Sequence, residues 1–177
     1  MSILTIDNYV KDDTCKKMCE LFDESQELAN EREFARGENI HSVIINMQKI
    51  LGKSKNASTW KPYVQAFASQ IKKVYLRWCE ENGTEPLPNF EIEVPRMYRL
   101  DPDFGKHKTG NKSDKRVFGV NFYLNNIKPT NFLKLDNKKV DVKKGSVVGF
   151  PAIMEFEESV PKTKMKYIIK GYITKKD

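Results

Sequence analysis

The stretch RVFGVNFYLN, Arg116–Asn125, reads as a β-strand: a short aromatic and β-branched run with a period near two, bounded by polar turn residues. Working outward, the same period recurs in FEIEVPRMYRL (90–100) before it. After it come NFLKL (131–135), KVDV (139–142), SVVGF (146–150) and KYIIKGYIT (166–174), separated by turn-rich segments. Upstream of GTEPLPN (83–89) the period changes to about 3.6, and this change is the main organisational boundary of the chain.

The N-terminal part begins with a short strand in SILTIDNYV (2–10). A helix follows over 11–31, with Asp12, Asp13 and Thr14 as capping candidates and Cys15, Met18, Cys19 and Phe22 as its apolar stripe, Leu21 beside them. The polar stretch ANEREFARGEN leads to a second expected helix over 40–53, in which Ile40, Val43, Ile44, Met47, Ile50 and Leu51 keep helical spacing and Gly52 is the stop. A third and longest helix is expected over 58–82, with Pro62 in its first turn, a buried face of Tyr63, Phe67, Ile71, Val74, Tyr75 and Trp78, and an end at Gly83. Three helices followed by six strands give an α+β class, the helices packed on one face of an antiparallel sheet or jelly roll.

With 177 residues, 39% hydrophobic and 11% aromatic, the chain is expected to form one domain over 1–177, comprising a strand-plus-helix part (1–83) and a β core (84–177). No apolar run approaches the roughly 20 residues that span a bilayer, and no export signal is apparent, so a soluble, non-secreted protein is expected. Cys15, Cys19 and Cys79 are expected to be reduced thiols, because a metal site on Cys15 and Cys19 would need a second ligand pair that the sequence lacks. Charge is uneven: residues 1–98 carry 13 Lys/Arg against 15 Asp/Glu, a net of −2, and residues 99–177 carry 18 against 9, a net of +9. A basic C-terminal half fits a nucleic acid, an acidic protein surface or a small anion, and it also fits simple solvation of turns and strand edges.

Four motifs of the strand half carry a resemblance to a known family. MYRLDPDFGKH resembles a tyrosine-bearing strand leading to a first metal ligand, RVFGVNFYLNN a strand ending in Tyr-Leu-Asn, VDVKKGSVVGFPA a Lys-Gly turn with a Phe-Pro strand end, and KMKYIIKGYI a closing Gly-x-Arg-Tyr strand. In that order they resemble the iron(II)- and 2-oxoglutarate-dependent oxygenases, in particular the prolyl-4-hydroxylase-like branch of bacteria and phages. The N-terminal ILTIDNYVKDDTCKKMCELF is similar to the start of such domains, whereas residues 30–83 match least. The resemblance implies a cupin-like double-stranded β-helix.

It also implies a ligand set of two histidines and a carboxylate, with open positions on the metal for 2-oxoglutarate and dioxygen. Here the first pair reads HKT, so His107 matches but Thr109 stands where a carboxylate is expected. No histidine follows FPA; Glu158 stands in that slot, with Glu157 next to it. The other histidine, His41, lies far upstream. A rearranged divalent site would use His107 and Glu158, helped by Asp103; otherwise His107 is a polar loop residue and Glu158 a solvated loop acid. Lys166 stands where the family's arginine holds the cosubstrate, with Lys164 in place of the motif's glycine, and Tyr98 matches a tyrosine near the cosubstrate. The expectation is therefore a degenerate oxygenase fold without Fe(II) or 2-oxoglutarate, serving in binding or assembly. It would be cytoplasmic or virion-associated, possible phage origin included, with a protein partner or a nucleic acid as the contact. The alternative is an active Fe(II)/2-oxoglutarate-dependent hydroxylase with atypical ligands. A nucleic-acid-binding domain of another fold is the third reading, although helix-turn-helix, zinc-finger and RNA-recognition signatures are absent.

Overall fold

A computed structural model describes residues 2–25, 31–33, 42–47, 57–102, 107–109 and 113–177. Among them the fold is an α+β double-stranded β-helix of two antiparallel sheets. In chain order the strands are β1 (Leu4–Ile6), β2 (Glu31–Glu33), β3 (Ser42–Asn46), β4 (Phe90–Leu100), β5 (His107–Thr109), β6 (Arg116–Tyr123), β7 (Phe132–Leu135), β8 (Lys138–Asp141), β9 (Val147–Pro151), β10 (Phe156–Glu158) and β11 (Lys166–Lys175). The large sheet has the order β1-β9-β6-β11-β4-β3-β2 and the small one β5-β10-β7-β8. No described helix is long and apolar enough to cross a membrane.

Helix α1 (Asp12–Glu24) buries Cys15, Met18, Leu21 and Phe22. Its N-cap is Lys11, without a side-chain cap, and Asp12 and Asp13 fall in the first turn. They therefore act on the helix dipole instead of capping the backbone. The helix stops seven residues earlier than its spacing suggests, at Ser25, whose Oγ accepts a hydrogen bond from Trp60 Nε1 at 3.0 Å in the core.

Helix α2 (Ala57–Glu81) has Pro62 inside it, at its sixth residue, one position deeper than expected. Trp60, Val64, Phe67, Ile71, Val74, Tyr75 and Cys79 are buried along its length. Gly83, at φ +60°, ends it: Thr84 N–H bonds back to Cys79 O at 2.9 Å and Gly83 N–H to Glu80 O at 3.2 Å.

Within the span expected for the middle helix, residues 42–46 form a strand, Met47 is helical, and residues 48–53 lie outside the described residues. Val43, Ile44 and Ile45 belong to β3, which pairs antiparallel with β4 from Ser42↔Leu100 to Asn46↔Arg96. Three consecutive β-branched residues lose rotamer freedom in a helix and pack well on a pleated surface, and an open sheet edge was available to them. Ile40, Ile50, Leu51 and Gly52 lie outside the described residues. The short strands β2, β5 and β10, three residues each, were not anticipated, because three residues show no measurable period.

Two cores follow from the alternation of the large sheet. Toward the helices, Phe118, Val120, Phe122, Val147, Tyr167, Ile169 and Ile173 pack with α1 and α2, and Phe67 meets Phe122 edge-on at 5.1 Å. Toward the small sheet, Tyr123, Val148, Phe150 and Ile168 pack with Leu133, Leu135 and Phe156. Gly145, in the Lys-Gly turn before β9, has φ +86° and lies so close to Val10 that an added Cβ would come within 2.8 Å of Val10 O. Its own carbonyl accepts hydrogen bonds from Tyr9 N–H and Val10 N–H at 2.8 and 3.0 Å, which ties the N-terminal segment to the barrel.

Candidate functional site

The space between the sheets is set by β11, the strand with neighbours β6 and β4. Because side chains alternate, Lys166, Ile168 and Lys170 point into the barrel, whereas Tyr167, Ile169 and Ile173 point to the helices. The β11–β4 register shifts between Lys170 and Tyr172, opposite Val94 and Pro95. A proline has no N–H for the ladder, so an interior strand such as β4 tolerates it at an irregularity of this kind.

Glu158, the last residue of β10, reaches into this space from the facing sheet and is 1% exposed. Its Oε2 lies 3.0 Å from Lys166 Nζ and its Oε1 3.3 Å from Lys170 Nζ. Two neighbours on β6 complete the set: Tyr123 Oη donates to Oε1 at 3.0 Å and also lies 3.3 Å from Oε2, and Asn121 Nδ2 donates to Oε1 at 3.2 Å. A carboxylate offers about four acceptor positions, and Lys166, Tyr123 and Asn121 all point donors at it while Lys170 adds its charge.

The two lysines are held differently. Lys166, 0% exposed, also donates to Ser159 Oγ at 3.0 Å and to the carbonyls of Ser159 and Phe132 at 3.2 and 3.4 Å. Lys170, 4% exposed, makes no hydrogen bond among the described residues; its contact with Glu158 is an ion pair without that alignment. Its ammonium lies 4.3 Å from the ring centroid of Phe156 and 5.3 Å from that of Tyr98, within cation–π range. Burial pulls both lysines below their ordinary pKa, and the Glu158 charge pulls them part of the way back. Lys166 adds a further downward push on Lys170. Tyr123 is pushed well above 10, first by burial and then by the carboxylate beside it.

The structure thus brings together several residues that the sequence singled out. Glu158 and Lys166 meet directly, and Tyr98 stands beside Lys170. The backbone of His107 is paired with that of Glu158 in the β5–β10 ladder. Asp103 and His41 lie outside the described residues. The expectation that Glu158 is a solvated loop acid is corrected: it is a strand residue at the centre of the barrel, because its charge has two ammonium partners there. Glu157, its neighbour, is half-buried. Asn121, Tyr123 and Lys170 were missed. The signal for Lys170 was available, since a lysine four residues after Lys166 on one strand shares its face.

The fold is that of several solved oxygenases. A viral collagen prolyl hydroxylase from Paramecium bursaria Chlorella virus 1, in its 2-oxoglutarate complex, superimposes with a TM-score of 0.65 at 13% identity, over 99% of this chain and 97% of that one. A prolyl-4-hydroxylase from Pseudomonas putida gives 0.64 at 16% identity, over 99% and 93%. The α-ketoglutarate-dependent carbocyclase SnoK from nogalamycin biosynthesis gives 0.69 at 10% identity, over 99% and 80%. No protein-family model matches the sequence, and no curated protein matches it either.

The resemblance to this fold family implies an iron ion and 2-oxoglutarate. Among the described residues no group of three or more His, Cys, Asp or Glu is gathered to hold an ion. Thr109 stands two residues after His107, where the resemblance expects a carboxylate, and among the described residues the carboxylate at the centre of the barrel, Glu158, has both oxygens beside ammonium groups. A metal at Glu158 would place a divalent cation next to two buried lysines, against their mutual repulsion.

Proposed function

We propose that this chain is a non-catalytic protein of the oxygenase fold that serves as a binding or assembly module. One observation carries the reading: Glu158, in the slot where the resemblance expects a metal-ligating histidine, is neutralised by Lys166 and Lys170. Iron(II) and 2-oxoglutarate are then not cofactors of this protein. Its contact surface is the basic strand half, net +9 over residues 99–177, and the partner that fits it is an acidic protein surface within an assembly. One solved protein of like fold is viral, in keeping with a virion-associated or cytoplasmic place for this one.

The test is a thermal melt of the wild-type protein with Fe(II), with 2-oxoglutarate and with both, alongside an assay for succinate formation. A ligand that binds only the native state raises the melting temperature. The expected result is no specific shift and no succinate. Stabilisation by both ligands, lost in His107→Ala, would establish the hydroxylase reading instead. Binding to a generic DNA duplex that weakens steeply with salt would move the partner from protein to nucleic acid, because phosphate contacts release counterions.

A further inference from the structure

We infer that the barrel interior is a carboxylate-binding site that the chain fills with its own Glu158, which makes this side chain an intramolecular ligand. The donors and the carboxylate come from different parts of the fold. Asn121 and Tyr123 stand on β6, and Lys166 and Lys170 on β11. Both strands are interior to the large sheet, and each is hydrogen-bonded on its two sides, β6 to β9 and β11, β11 to β6 and β4. Their positions are therefore fixed by the ladder and by packing on the helices. The carboxylate is delivered across the barrel by the three-residue strand β10 of the small sheet.

The chemistry of the donor set points to an anion of this type. Two ammonium groups, a phenol and an amide converge from one side on two oxygens, with distances of 3.0 to 3.3 Å. Without an anion the interior would hold two ammonium groups inside an apolar shell that includes Tyr123, Phe150, Phe156 and Ile168, a strongly unfavourable arrangement. One carboxylate against two lysines still leaves a positive surplus among these four donors. Lys170, which lacks a hydrogen bond among the described residues, is the group on which that surplus falls.

The inference rests on the non-catalytic reading only in taking Glu158 as unavailable to a metal. Its test uses Glu158→Ala in the full chain, melted in sodium formate or sodium acetate and in sodium chloride of equal ionic strength. Formate and acetate are expected to raise the midpoint of Glu158→Ala above the chloride control, in proportion to the logarithm of concentration once the site fills. The wild type is expected to respond equally to all three salts. Adding Lys166→Met to Glu158→Ala should abolish the difference. If Glu158→Ala does not fold in chloride, refolding into acetate is expected to restore a cooperative transition. Equal behaviour of Glu158→Ala in acetate and chloride, whether folded or unfolded in both, overturns the inference. Stabilisation of the wild type by Fe(II) with 2-oxoglutarate fails the non-catalytic reading by a separate measurement.

Discussion

On its helix side β11 presents Tyr167, Ile169, Gly171 and Ile173; on its barrel side it presents Lys166, Ile168, Lys170 and Tyr172. The first face packs against α1 and α2 as an apolar layer. Stability there scales with area removed from water, at about 25 cal/mol per Å². The second face holds two ammonium groups against one carboxylate. There the desolvation of each charge opposes folding, and the set is tolerable only when complete. One strand therefore serves two purposes, one side anchoring the sheet and the other maintaining a specific polar constellation.

The largest effects should separate the faces. Glu158→Ala strands two buried cations and should cost about 3–5 kcal/mol. Phe122→Ala on the helix side opens a cavity and should cost a similar ~3–5 kcal/mol. What distinguishes them is repair. Combining Glu158→Leu with Lys166→Met and Lys170→Met should return urea stability to the wild-type value or above, since well-packed apolar groups often replace a buried ion set without loss. Should that triple variant remain as unstable as Glu158→Ala, the charges are needed for the barrel to form, and the contrast between the faces collapses.

The helix side was legible in the sequence because burial writes a period. Cys15, Met18 and Phe22 on α1, and Phe67, Ile71 and Val74 on α2, announce their faces through spacing alone. The six longer strands β4, β6, β7, β8, β9 and β11 were placed to within one or two residues for the same reason, whereas the three-residue β5 and β10 between them were not. Residues 42–46 misled, because Val43, Ile44 and Met47 satisfy helical spacing while the β-branched run of residues 43–45 satisfies a strand; pairing with β4 decided the matter. In the barrel, resemblance pointed to Tyr98, Lys166 and Glu158. No local pattern could reveal that Glu158 and Lys170 are partners, since their contact depends on two sheets facing each other.

A smaller effect would sharpen the picture of the polar face. Tyr123→Phe removes the hydroxyl that donates to Glu158 and should cost about 1.5–3 kcal/mol, the range for hydrogen bonds to charged groups. In the apolar triple background the same change should cost little, because the carboxylate it served is gone. A double-mutant cycle by urea denaturation reads the difference, and equal costs in both backgrounds would mean that Tyr123 acts through packing.

On the helix side, Gly171 sits where an added Cβ would lie 2.2 Å from Ile71 Cδ1 and 3.1 Å from its Cγ1. Ile71 is fully buried, so it has little room to yield. Gly171→Ala should therefore cost about 1–3 kcal/mol by overpacking. Ile71→Val, which removes the offending Cδ1, should recover part of that loss in the double variant, and simple additivity would place the cost elsewhere.

The smallest expected effect on stability near neutral pH comes from the thiols, yet its kinetic signature is large. Cys15, Cys19 and Cys79 are free, and all three are pushed up from their ordinary pKa. Cys19 is pushed up to about 12, by burial first and then by Cys15, Asp23 and Glu20. A raised folded value means that its contribution to stability is fully present below about pH 9 and is lost as pH climbs through about 12. Since the thiolate is the nucleophile, alkylation of Cys19 by iodoacetamide at pH 8 should be roughly a thousandfold slower in the native protein than in urea. Labelling at the unfolded rate in native buffer would mean that α1 opens readily from the sheet, so that even the apolar face of the comparison is held less firmly than its packing suggests.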